Sequence, residues 1–249
     1  MKSRILLVTA IAFVTSAFPS VSESQSGNTP SLSSLSDIFR AGGNATYSGG
    51  FYLDGIDPFL INITATGFGR VATFSASGLW KEDEWWTPTP KYGPDGGPYA
   101  ISTVSSWNRI AGFTGPANLW LVGLFLDDTL PTFAPARRVY SASEYASPSF
   151  TDIQVGQVFF IGDGVTGTGS GSVQQFLVPD GATRLFLGTV DGGAFMTDPG
   201  GYYNNAGSLD VSWEIQDATS TTPEPASLAL VGTGLLGIGI RFRRRRTKQ

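Results

Sequence analysis

The chain has no cysteine and no histidine in its 249 residues. Their absence excludes a thiolate–imidazole zinc site, a Ser-His-Asp triad and a cysteine nucleophile, leaving paired carboxylates as the main catalytic option. Disulfides are excluded as well, so an exported domain must be held by its core or by a bound ion. Charged residues make up only 14%, and no segment carries a convincing amphipathic helical period. Glycine is plentiful at 32 residues, alongside 17 Phe and 6 Trp. That mixture suits many short strands joined by tight turns and argues against a helical bundle. The formal charge of −4 conceals an uneven distribution. Between positions 25 and 225 eight basic residues face nineteen acidic ones, a net of −11. Such a stretch repels nucleic acid and attracts divalent cations.

The two ends read as addresses. Residues 1–22 have the form of a secretory signal peptide: Lys2 and Arg4, a short apolar run from Ile5 to Val14, then small residues at Thr15, Ser16, Ala17, Ser20 and Ser22. The apolar run is too short to span a bilayer. The polar, Ser-rich segment 23–36 is expected to be a flexible spacer. At the other end a Ser/Thr linker (218–222) precedes Pro223-Glu224-Pro225, an apolar stretch from Ala226 to Ile240, and Arg241, Arg243, Arg244, Arg245 and Arg246. Residues 226–242 reach the lower length limit for one transmembrane helix, and the arginines place its end in the cytoplasm. This three-part tail, 223–249, resembles the PEP-CTERM sorting signal of Gram-negative bacteria. The resemblance implies recognition and cleavage by an exosortase, transient anchoring in the inner membrane, and delivery to the cell surface or extracellular matrix.

Between the addresses, 37–217 reads as one all-β domain, a β-sandwich or jelly roll. Strands are expected at Phe59–Ile63, Val71–Phe74, Leu119–Leu126, Val155–Ile161, Val173–Val178 and Arg184–Leu187, with a glycine loop at 162–171. That loop lacks the Gly-Lys-Ser/Thr ending of a phosphate-binding turn. The continuous apolar run Leu119–Leu126 predicts a strand buried on both faces. A long Pro- and Gly-rich loop, Trp80–Ala100, carries Trp85, Trp86, Tyr92 and Tyr99. Its aromatics either offer flat faces to sugar rings or fold back as a small core beneath the loop.

The stretch DPGGYYNNAGSLDVSW, Asp198 to Trp213, sets a turn dense in oxygen ligands before an alternating strand. Leu209, Val211 and Trp213 should point one way, with Ser208, Asp210 and Ser212 opposite. Ca²⁺ takes about 6–8 oxygens from carboxylates, Asn amides and backbone carbonyls, which this turn supplies; Asn, Asp and Gly also favour plain hairpin turns.

The run FLVPDGATRLFLGTVDG, followed by DPGGYYNNAGSLDV and preceded at 91–96 by KYGPDG, resembles the calcium-dependent galactophilic bacterial lectins of the PA-I type. The resemblance spans roughly 63–213, with an extra segment near 127–154, and implies a galactose-binding-like sandwich. It places Asp198, Asn204 and Asn205 on side-chain Ca²⁺ ligands, with Gly201 and Trp86 on backbone-carbonyl ligands. Trp85, Tyr92, Tyr99 and Tyr203 become the aromatics expected around a sugar. The family's residues that hold the exocyclic hydroxyl of galactose are replaced here by Gly97-Pro98-Tyr99-Ala100, so galactose specificity does not carry over. The expected function is non-enzymatic: an exported, Ca²⁺-dependent binder of matrix polysaccharide. Two alternatives stand beside it. One is a structural surface protein in which the ion only stabilises the loop. The other is a glycoside hydrolase using Glu82, Asp83 or Glu84 opposite a second carboxylate.

Overall fold

The computed structural model describes residues 24–43, 55–65, 68–82, 91–97, 102–115, 119–141, 143–192 and 198–217. The signal peptide, Trp85, Trp86, Tyr99, the linker 218–222 and the sorting tail lie outside the described residues. Among those described, no helix is long and apolar enough to cross a membrane; the span expected at 226–242 falls outside them.

The architecture is all-β. Its strands in chain order are β1 (Ser24–Ser33), β2 (Phe59–Asn62), β3 (Val71–Lys81), β4 (Ser102–Val104), β5 (Phe113–Gly115), β6 (Leu121–Leu126) and β7 (Arg138–Val139). There follow β8 (Ser149–Phe150), β9 (Val158–Phe160), β10 (Val165–Gly167), β11 (Ser170–Val173), β12 (Gln175–Leu177), β13 (Arg184–Thr189) and β14 (Ala206–Gln216). One sheet has the order β1-β14-β3-β12-β8 and a second the order β2-β13-β6-β9. A small sheet β4-β5-β7 and the hairpin β10-β11 complete the described structure.

The alternation expected for β14 is present. Leu209, Val211 and Ile215 are buried while Asp210, Ser212 and Glu214 are exposed. Trp213 lies half-buried over Gly27 of β1, where a Cβ would come within 2.7 Å of the indole ring. The continuous run at β6 is buried at all six positions, held between β13 and β9. The 3₁₀ turn Ile38–Gly42 packs on both β6 and β13. The two larger sheets share one hydrophobic core. Phe159 of β9 meets Phe176 of β12 at 5.6 Å between ring centres, and Phe176 stacks on Phe150 and meets Phe74 edge-on.

Two expectations are overturned. The segment 23–36 is not a spacer: Ser24–Ser33 is β1, antiparallel to β14 from Ser24↔Gln216 to Ser33↔Ser208. Its residues are polar because it is an edge strand held mainly by backbone pairing, so it has no hydrophobic alternation to reveal it. Pro30 sits where the register shifts between Thr29 and Leu32, the kind of position where an edge strand tolerates proline. The domain therefore begins near 24 rather than 37. The glycine loop 162–171 is likewise largely the hairpin β10-β11. Gly164, at φ 88°, is needed because a Cβ there would fall 2.0 Å from the carbonyl oxygen of Phe74. Close backbone approach accounts for this glycine without a ligand.

Phe176 is fully buried and joins rings from both sheets. Phe176→Ala is expected to lower unfolding free energy by about 3–5 kcal/mol. Urea denaturation checks this; a loss under 1 kcal/mol would show that the rings do not carry the shared core.

Candidate functional site

β13 ends at Thr189 and β14 begins at Ala206, and each belongs to a different large sheet. The segment between them is therefore anchored in both. After Asp191 the chain makes an excursion closed by the Gly192–Pro199 bridge, and the Gly200 amide donates to the Asp191 carbonyl at 3.1 Å. Gly201, left-handed at φ 89°, turns the chain into the 3₁₀ turn Tyr202–Asn204, and Asn205 resumes an extended path. Tyr202 is completely buried beneath this turn. Its hydroxyl donates to the Thr189 carbonyl (3.4 Å) and accepts from the Asp191 amide (3.2 Å), tying the turn to the end of β13.

The chemistry gathers at Asp191. Its buried carboxylate accepts from Asn205 Nδ2 at 2.9 Å and from the Gly192 amide at 2.7 Å. Burial pushes its pKa up to about 7; the charge of Glu82 adds to the rise, the Asn205 and Gly192 hydrogen bonds oppose it, and Asp37 adds a smaller push. Both charged groups that shift Asp191 are thus acidic. Asn205 Nδ2 also reaches the Ser34 carbonyl at 3.3 Å, which brings the end of β1 to the site. The amide oxygens of Asn204 and Asn205, with the hydroxyls of Ser34 and Thr189, are buried with no hydrogen-bond partner among the described residues. Buried polar atoms are normally satisfied, so such a group calls for an unseen water or ion. Among the described residues no three acidic side chains form a metal cluster. An ion here would depend on amide and main-chain oxygens around one carboxylate, a donor set that suits Ca²⁺.

The expected site is brought together in part. Gly201 and Asn205 meet Asp191: the Asn205 amide donates to its carboxylate, and a Cβ on Gly201 would approach a carboxylate oxygen to 3.4 Å. Asn204 lies beside them in the chain, in the 3₁₀ turn. Asp198, the expected carboxylate ligand, is exposed beside Pro199; the buried carboxylate at the Asn pair is Asp191. Asp198 lies inside the segment closed by the Gly192–Pro199 bridge, whereas Asp191 follows closely on β13, which is anchored in the core. The available signal was the position of Asp191 directly after the apolar run of β13.

The register of β3 brings the second expected segment alongside, with Lys81 opposite Ala206 and Trp80 opposite Gly207. Trp80 and Tyr92 exchange backbone hydrogen bonds at 3.0 and 2.7 Å. Tyr92 is buried, with Gly97 so close that a Cβ there would lie 2.7 Å from its ring. It serves as core beneath the loop, not as a sugar platform. Tyr203 is half-buried on the 3₁₀ turn. Trp85, Trp86 and Tyr99 are outside the described residues, as are Asp83 and Glu84 of the hydrolase alternative.

Residues 221–245 match the PEP-CTERM protein-sorting motif. Searches of curated proteins and of solved structures return no match, so the lectin resemblance has no further support from them. The motif implies an exported, surface-sorted protein processed by an exosortase.

A carboxylate whose folded pKa lies above its unfolded value of about 3.9 favours folding when protonated. Its contribution is complete below pH 4 and is lost as pH rises through 7. In chelator, Asp191→Asn is expected to raise unfolding free energy at pH 8 by roughly 1–3 kcal/mol and to flatten the decline between pH 4 and 8. Urea melts at the two pH values test this. Destabilisation at pH 8 would mean that the charge is compensated.

Proposed function

We propose that the domain is an exported β-sandwich carbohydrate-binding module in which Ca²⁺ is held by the side chains of Asp191, Asn204 and Asn205. The observation that carries this reading is the buried Asp191 carboxylate held by the Asn205 amide, with the side-chain oxygens of Asn204 and Asn205 buried and without hydrogen-bond partners among the described residues. Main-chain oxygens at Gly201 and Trp86 complete the set that the lectin resemblance implies. A bound Ca²⁺ supplies open coordination positions for vicinal hydroxyls and neutralises the acidic surroundings. Tyr202 holds the turn against β13, and the Asn205 amide ties it to Ser34 at the end of β1. Tyr203 flanks the turn and supplies an aromatic edge for a sugar ring. Exchange of metal-bound water for hydroxyls changes little in charge, so single sites are weak and several must act together on a polymer. The matrix polysaccharide of the exporting cell fits the destination implied by the sorting motif.

The same oxygens favour a second reading, in which the ion only braces a domain without disulfides. Ca²⁺ is expected to raise the melting temperature of wild type, with the shift abolished in Asp191→Asn and reduced in Asn204→Ala. Glycan-array signals that Asp191→Asn abolishes should also vanish in EDTA. A thermal shift without any glycan signal would select the bracing role, and no shift at all would remove the ion.

Processing is tested separately by mass spectrometry of the exported protein. A Pro223→Ala, Glu224→Ala double variant is expected to retain its arginine-rich tail and stay with the membrane. Normal tail removal would count against exosortase recognition at this motif.

A further inference from the structure

The outward face of the β1-β14-β3 sheet carries a shallow groove of about 380 Å³. Its register aligns polar side chains in two rows across the strands. Ser26 lies opposite Glu214, which lies opposite Thr73; Asn28 lies opposite Ser212, which lies opposite Ser75. None of these six side chains has a hydrogen bond or ion pair within the described residues. Val173, 56% exposed on β11, adds an apolar wall on the β3 side.

We propose that this face binds an extended, neutral β-linked polysaccharide lying across the strands, without a metal ion. Strands are about 4.8 Å apart, close to the length of one pyranose unit, so each sugar along the chain meets a fresh hydroxyl, amide or carboxylate in each row. Charge selects the polymer: Glu214 is in the groove and Asp210 is exposed on the same face of β14, while no Lys or Arg among the described residues lines it. An anionic glycan or nucleic acid is repelled. A peptide strand is a poor occupant, because it pairs through backbone groups at a sheet edge, whereas over these faces the backbone is already spent in the ladder. Val173 offers an apolar contact to the C–H side of a ring. Ser212 is seven positions beyond Asn205 on β14, about 23 Å away at the rise of a strand, so the groove is separate from the ion loop proposed above and does not rest on it.

The test is affinity electrophoresis of the full chain in detergent, in gels containing hydroxyethylcellulose or a soluble mixed-linkage β-glucan, run in EDTA and in parallel with Ca²⁺. Wild type is expected to be retarded relative to a glycan-free gel. Ser212→Arg, which sets a long side chain at the centre of one row at an exposed position, should cut the retardation at least fivefold, whereas the charge-matched Ser149→Arg on β8 should not. Absence of retardation in EDTA, equal retardation of Ser212→Arg, or retardation that appears only with Ca²⁺ would overturn the proposal. The last result would assign glycan binding to the ion loop alone.

Discussion

Most of this structure hangs on β14 being paired along both edges. Its eleven residues match β3 from Ala206↔Lys81 to Gln216↔Val71, and the same strand holds β1 on its other side. Strand register is unforgiving, because a slip of one residue would turn Leu209, Val211 and Ile215 out of the core and Asp210, Ser212 and Glu214 into it. A fixed β14 thus fixes three things at once. It places the Asn pair at its entrance, sets the rows of polar side chains on its outer face, and gives an otherwise featureless N-terminal segment a long partner.

The site works against that stability. Asp191 is buried among acidic neighbours, and several oxygens around it have no donor among the described residues. Burial of an unbalanced carboxylate costs free energy unless something cationic or a proton relieves it. The fold tolerates the arrangement because the segment is anchored in both sheets and Tyr202 fills the space beneath it. A turn that served only to reverse the chain would gain nothing from this cost.

Legibility in the sequence followed the hydrophobic signal. β6, β13 and β14 could be read because their apolar periods are strong, and each lies where expected. β1 could not, since an edge strand of Ser, Gln, Asn and Gly has no apolar pattern and is defined by a partner almost two hundred positions away. The hairpin β10-β11 was hidden by glycines that are there for close backbone approach as well as for turns. At the candidate site, the resemblance pointed to Gly201 and Asn205, which meet Asp191, and to Asp198, which is exposed. Asp198 is nearer in sequence, but proximity along the chain does not decide burial. Tyr92 shows the opposite limit: its type suggested a platform, while only the three-dimensional closeness of Gly97 reveals that its ring is covered.

The pairing of Ser24 with Gln216 has a geometric corollary. The polypeptide enters and leaves the domain side by side, at one pole, and the exit leads towards the sorting segment. Asn205 stands just before the other end of β14, roughly 35 Å off at the rise of a strand. Any tether joined beyond Asp217 would therefore hold the domain by its base and present the Asn turn outward, so that reach is built into the length of a single strand.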